Sequence, residues 1–197
     1  MICPLTEKYL DEVVKVHIES FPGFFLTCLG AKLLRLLYEG IISYQKSIKL
    51  IYLNDNEVNG FIVGVMNPSG FYTTLLKRDL FRFGIASIPI LLKKPKAFFR
   101  LIRAVAKPGK TPKDPGVAEL LSLAVIPDSQ GKGIGKELVT ALIRELRNRG
   151  GRALYLTTDA CNNDPVNKFY EKMGFKIRQV IKTPENRYMN EYWLEIE

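Results

Sequence analysis

The chain of 197 residues is poor in the residues that build metal and disulfide sites: it has one histidine and three cysteines. With His17 alone, any mechanism that needs two histidines, such as an HExxH zinc site, is excluded. Cys3, Cys28 and Cys161 are odd in number and form no CxxC pair. That argues against a disulfide framework and a zinc site, and it fits a reducing cytoplasm. No metal ligand is assigned. Long apolar runs are missing too. The longest candidate, Phe83 to Leu92, has ten residues, well short of the ~20 that a membrane span needs. The first residues, MICPLTEKYLDE, have no basic start followed by an apolar stretch, so no signal peptide is expected and the expected location is cytoplasmic.

Apolar residues make up 47% and charged residues 25%, enough for a core and against general disorder. The length fits one domain carrying an insertion. The net charge of +9 is unevenly spread. Residues 70–113 hold eleven Lys/Arg and one Asp, or +10, and the remainder holds 18 basic and 19 acidic residues, or −1. The basic character belongs to one segment, so no protein-wide nucleic-acid surface is indicated and no nucleic-acid partner is expected.

Along the chain, residues 1–8 read as a short strand ending at Thr6. Apolar positions at helical spacing from Leu10 to Phe21 predict a first helix, and residues 31–42 a second. Ser47 to Leu53 and Phe61 to Met66 alternate as strands around an Asn/Asp/Gly turn, a β-hairpin. The segment at about 70–113 is both apolar and basic. It reads as a helical insertion in two or three pieces, broken near Pro89 and Pro95. Ala118 to Ile126 is a strand, 127–135 a loop and Lys136 to Asn148 a helix. Arg152 to Thr157 is a strand, Asp164 to Met173 a short helix, and 175–181 and 188–196 are closing strands.

The chemistry is concentrated in SLAVIPDSQGKGIGKELV. Gly131, Gly133 and Gly135 separate a strand from a helix start. Such a loop turns backbone N–H groups toward one point, and the helix N-terminus adds partial positive charge, which makes a pyrophosphate cradle. Glycine keeps side chains out of the way and allows φ > 0. The loop is neither GxxxxGK[ST] nor GxGxxG, because Lys136 stands where each would need glycine. Its spacing, Gln130-Gly131-Lys132-Gly133-Ile134-Gly135, is Q-x-x-G-x-G.

This loop resembles the coenzyme A loop of the GNAT N-acetyltransferase superfamily, [RQ]-x-x-G-x-[GA]. The strand Ala118 to Val125 resembles that family's fourth strand. Asn163, Val166, Phe169, Tyr170, Gly174 and Phe175 match its N-x-x-A-x-x-[LF]-Y-x-x-x-GF segment, with Val166 in place of the usual small residue. The resemblance covers roughly 1–68 and 116–197. It implies a mixed, mostly antiparallel central sheet of six or seven strands flanked by helices, a single domain over 1–197. It implies acetyl-CoA as acyl donor and no metal. The backbone of Leu123 and Val125, with Ala124 between them, would bond the pantetheine arm. N–H groups from Gln130 through Gly131, Lys132, Gly133, Ile134 and Gly135 to Lys136 would hold the pyrophosphate. Asn163 would steady the pantetheine or thioester end. Tyr170 would face the sulfur as general acid, and Glu119 stands where relatives place a general base.

Those residue types suit direct transfer to a primary amine. An alkylamine has a pKa near 10.4 and must lose a proton, which a carboxylate can accept. Tyrosine, near 10, can protonate a thiolate near 8.5 at a cost of about 2 kcal/mol, small beside a catalytic barrier. No acyl-enzyme is required. The expected acceptor is a small amine or amino sugar. The alternatives are a protein N-terminus or lysine, or a non-catalytic module that binds CoA or sits on a membrane.

Some residues carry two readings. His17 lies on the apolar stripe of the first helix and reads as a satisfied histidine at the core edge. Ser122 reads as an ordinary strand serine, with a substrate contact as the other reading. Phe21, Phe24 and Phe25 border the acceptor site or pack in the core. For the insertion, three roles compete: a cap over the acceptor pocket, peripheral membrane contact through 75–107, and an interface with a partner or a second copy as a homodimer.

Overall fold

The computed structural model describes residues 1–93, 112 and 114–196. Seven strands form one sheet in the order β1-β2-β3-β4-β5-β7-β6: β1 Ile2–Pro4, β2 Ser47–Asn54, β3 Glu57–Met66, β4 Val117–Val125, β5 Ala153–Asp159, β6 Lys176–Lys182 and β7 Tyr188–Glu195. All neighbours are antiparallel except β4 and β5. The expected mixed, mostly antiparallel sheet flanked by helices is therefore the observed fold.

The described helices are α1 Leu10–Ser20, α2 Phe25–Cys28, α3 Ala31–Ser43, α4 Phe71–Arg78, α5 Leu80–Lys93, α6 Ile134–Asn148 and α7 Asp164–Lys172. Strand β3 is apolar on both faces because both are covered. Phe61, Val63 and Val65 pack with α1, α3, α4 and α5 residues such as Val13, Leu34, Phe71 and Phe83. Ile62 faces the other way, with Leu138, Leu142 and Leu146 of α6 and Tyr170 of α7. The sheet thus separates two cores, one under the N-terminal helices and one under α6 and α7.

Three local differences from the sequence reading have physical causes. The hairpin turn is shorter than the Asn54–Gly60 stretch. Asp55 and Asn56 alone make it, both at positive φ (51° and 65°), a conformation that these short polar side chains tolerate. The short helix α2 was not anticipated. The insertion does not break at Pro89: α5 runs through it, and the break falls at Asp79. Proline removes a single helical N–H, whereas the turns before it are held by Phe83 in the core and by Ser87 Oγ donating to the Phe83 carbonyl at 2.6 Å. Pro95 and the basic and aromatic residues from Lys94 to Arg103 lie outside the described residues. Among the described residues, no helix is long and apolar enough to cross a membrane.

Candidate active site

Strands β4 and β5 pair over three residues only: Val117 with Ala153, Ala118 with Leu154, and Glu119 with Tyr155. Beyond Glu119 they part. On the far side of β4, Ile126 N–H donates to Asn59 O at 2.9 Å. Backbone groups alternate along a strand, so those of Ala124 also face β3, and those of Leu123 and Val125 point into the gap. The Val125 carbonyl is taken by Ser20 Oγ and by Gln130 Nε2, each at 3.0 Å. The gap widens into a cleft of about 710 Å³. Leu120 to Val125 line it, with Gln130, Gly131, Gly133 to Lys136, Asn163, Val166, Phe169 and Tyr170 on one side and His17, Ser20, Phe21, Phe24 and Leu26 on the other.

Two backbone devices aim these groups. The first is a bulge. Val63 pairs with Ser122 but Gly64 with Leu120, leaving Leu121 as the extra residue. Leu120 and Leu123 pack against the α6 core and Leu121 against the α1/α3 core. The bulge brings Leu121 and Ser122 to the same, N-terminal-helix face, where simple alternation would have separated them. The second is the glycine loop. Gly131 and Gly133 have φ of 75° and 86°, and no atom lies within 4 Å of a Cβ position at either. The outer side of the loop is open, with α6 starting at Ile134 and its first N–H groups turned outward. An open anion cradle beside an unpaired strand edge fits a pyrophosphate followed by an amide-bearing arm.

Tyr170 is 6% exposed, and burial pushes its phenol above the usual tyrosine range, so it keeps its proton. No described side chain bonds its hydroxyl. Asn163 Nδ2 donates to Thr158 Oγ1 at 2.7 Å, tying α7 to the end of β5. Asn167 was not singled out in the sequence. It is buried, donates to Asp159 O at 3.1 Å, and accepts from Asn190 Nδ2 and Tyr192 Oη, each at 3.2 Å. This network braces the helix that carries Tyr170. Arg187 and Asp159 also reach the cleft, as a pair with Nη2 2.6 Å from Oδ1. Cys161 is exposed.

The remaining predicted residues divide. Lys132 is exposed and lies outside the cleft lining. Glu119 is also outside it, at the apex where β4 and β5 part, with Tyr155 Oη donating to its Oε2 at 2.8 Å. Burial raises its pKa; the Tyr155 bond opposes this, and the charge of Glu191 adds to it. None of the described residues of α4 and α5 lines the cleft. Tyr72 of α4 instead lies near Glu119: burial, and then the Glu119 charge, raise the pKa of its phenol. His17 is only half satisfied: its Nδ1 lies 2.8 Å from Tyr38 Oη, whereas Nε2 is buried without a partner.

Comparison with known proteins agrees with this geometry. The model of the acetyltransferase (GNAT) family matches residues 10–175. A mycothiol acetyltransferase of Arthrobacter sp. (strain FB24) is 39% identical over 61 residues, which are 31% of this chain and 19% of that protein. The chain thus matches about a fifth of the length of that curated relative. Among solved structures, an aminoglycoside 6'-acetyltransferase type Ii superposes with a TM-score of 0.66 at 18% identity, over 100% of this chain and 97% of its own. An aminoglycoside 6'-N-acetyltransferase complexed with coenzyme A superposes with a TM-score of 0.65 at 17% identity, over 100% and 97%. With its forked sheet, its glycine loop and a family model matched over residues 10–175, this chain belongs to the acetyltransferase (GNAT) family.

Proposed function

We propose that the protein transfers the acetyl group of acetyl-CoA directly to a primary amine of a small acceptor, with amino sugars favoured. The observation that carries this reading is the fork between β4 and β5, with an unpaired strand edge on one arm and the unpartnered Tyr170 hydroxyl near the other. Acetyl-CoA would supply the activated acetyl group. The backbone of Leu123 and Val125 would bind the amides of its pantetheine arm as a strand edge binds a peptide. N–H groups of the 130–136 loop would hold the pyrophosphate, and Asn163 would steady the arm.

A free N–H of the unpaired β4 edge donates to the carbonyl oxygen as negative charge develops on it. Glu119 takes the proton of the amine through water from its place at the apex, and its raised pKa brings its basicity nearer to that of an amine. As the new C–N bond forms and the C–S bond breaks, Tyr170 gives its proton to the sulfur. A small acceptor is supported by Phe21, Phe24 and Leu26, which wall one end of the cleft, and by Phe24, whose half-exposed ring offers a flat apolar face to a sugar or an alkyl chain. The names of the relatives, mycothiol and aminoglycoside acetyltransferases, point the same way.

Release of free thiol from acetyl-CoA across an amine panel tests the reading. Tyr170→Phe is expected to lower kcat by about a hundredfold or more. A folded Tyr170→Phe variant with parental kcat would remove Tyr170 from the chemistry. Glu119→Gln judges the base in the same way.

A further inference from the structure

One ion pair of the cleft has no part in the acetyl transfer described above. Asp159 ends β5, and Arg187 leads into β7 beside it. Both line the cleft. Glu119 pairs with Tyr155, and Tyr155, Thr157 and Asp159 share one face of β5, so Asp159 lies on the same side of the sheet as Glu119. Leu154 and Leu156 take the other side, in the α6 core with Tyr170. The pair therefore stands on the side of the proposed base, opposite the proposed acid. A bonded turn fixes Arg187. Thr183 N–H donates to the Arg187 carbonyl at 2.8 Å, Arg187 N–H donates to Thr183 Oγ1 at 3.2 Å, and Asn186 closes the turn at φ of 65°. Its side chain is held as well. Nε donates to Asp159 Oδ1 at 3.1 Å, and Nη2 lies 2.6 Å from Oδ1 and 2.7 Å from Oδ2. Met189 Sδ lies 3.8 Å from Nη2. The two Nη1 hydrogens have no partner among the described residues.

Such a pair offers a fixed donor beside an acceptor, with the two charges balanced. A carboxylate has room for about four hydrogen bonds, and Asp159 uses three, so it can still accept. Neighbouring hydroxyls complement this arrangement: one accepts from Nη1 and the next donates to Asp159. A second ammonium would meet the guanidinium, and a carboxylate would meet Asp159; each brings a like charge close. The spacing suits a small ring. Asp159 stands four residues beyond Tyr155, the partner of Glu119, about 13 Å along the strand. A water between Glu119 and the amine takes about 6 Å of this, as two hydrogen bonds. The remainder is close to the span of one sugar ring, with the Phe24 ring on the other side of the cleft.

We propose that the Arg187–Asp159 pair selects the acceptor: Arg187 Nη1 donates to one hydroxyl of an amino sugar, and Asp159 accepts from the neighbouring hydroxyl while holding the guanidinium in place. This rests on the acetyl-transfer reading above and narrows its acceptor to an amine on a ring with vicinal hydroxyls.

The experiment measures free thiol release by the parent, Arg187→Ala, Arg187→Lys and Asp159→Asn with glucosamine, 1,4-diaminobutane and an alanyl dipeptide. The readout is kcat/KM of variant over parent for each acceptor, in which the intrinsic reactivity of each amine cancels. Arg187→Ala is expected to lower the glucosamine value by about tenfold, with KM for acetyl-CoA within about twofold of the parent. The charge left behind gives changes of opposite sign. The lone carboxylate of Arg187→Ala should raise the diamine relative to glucosamine, and the lone guanidinium of Asp159→Asn should raise the dipeptide, which carries a carboxylate. Arg187→Lys keeps the charge and loses the planar fork, so it should lower glucosamine without favouring the diamine. A merely structural role would lower all three acceptors alike. Equal changes for all acceptors in the variants, or a parent that acetylates the diamine or the dipeptide and not glucosamine, overturn the proposal and leave acetyl transfer standing. A parent that releases thiol with none of the acceptors overturns both.

Discussion

His17 couples the core to pH. Its ring sits among Phe21, Tyr38 and Phe61, at centroid distances of 4.9, 5.8 and 6.4 Å. Burial lowers its pKa from 6.5 to about 4. Between those values the unfolded chain binds a proton that the folded chain refuses, so stability is present above pH 6.5 and declines as pH falls toward 4. The loss amounts to roughly 3 kcal/mol at the acid end. Urea unfolding of the parent and of His17→Phe at pH 7.5 and pH 4.5 measures it. The parent should lose stability relative to His17→Phe toward acid, because phenylalanine has nothing to protonate. At the same scale, Tyr170 and Asn163 were legible because their spacing from a Gly-Phe pair forms a motif. Tyr38 and Asn167 were not. Their roles depend on partners 21 positions away along the chain for Tyr38, and 23 and 25 away for Asn167, and no local pattern encodes such distances.

Elements show the same division. The glycine loop could be read because its backbone needs residues that accept positive φ, a demand written in the residue type. Gly133→Ala is expected to cost about 1 kcal/mol of stability, since φ of 86° strains any Cβ, even one with open space around it. It should also weaken acetyl-CoA binding, which isothermal titration would show as a raised Kd. The bulge at Leu121 could not be read, because it exists only as a mismatch of register between two strands. The helix break at Asp79 was likewise hidden. Arg78 and Arg82 flank that residue and pair with it at 2.8 and 3.7 Å, contacts that no local pattern shows, while the sequence draws attention to Pro89.

At the scale of the whole molecule, the strand and helix positions followed from the alternation of periods along the chain and the mixed, mostly antiparallel sheet from the family resemblance, whereas the strand order and the placement of the described residues of α4 and α5 away from the cleft did not. Their apolar residues announced packing without naming the surface. Phe83 chose the N-terminal core, while Leu80 and Phe81 stay largely exposed. The global consequence of ligand binding is measurable by thermal unfolding. Acetyl-CoA at about 100 Kd should stabilise the fold by ~2.7 kcal/mol, raising Tm by roughly 5–10 °C for a chain of this size, with no comparable shift from ATP or NAD.

The fork has a mechanical side as well. Three residue pairs join β4 to β5, so the sheet is two rigid leaves on a short hinge, with Glu119 and Tyr155 as its last pin. A guest whose amides bridge the leaves completes the interrupted ladder from within and works as a splint. Without it, the amides of Leu123 and Val125 should exchange with deuterium as quickly as those of an outer strand, although they lie near the middle of a seven-stranded sheet.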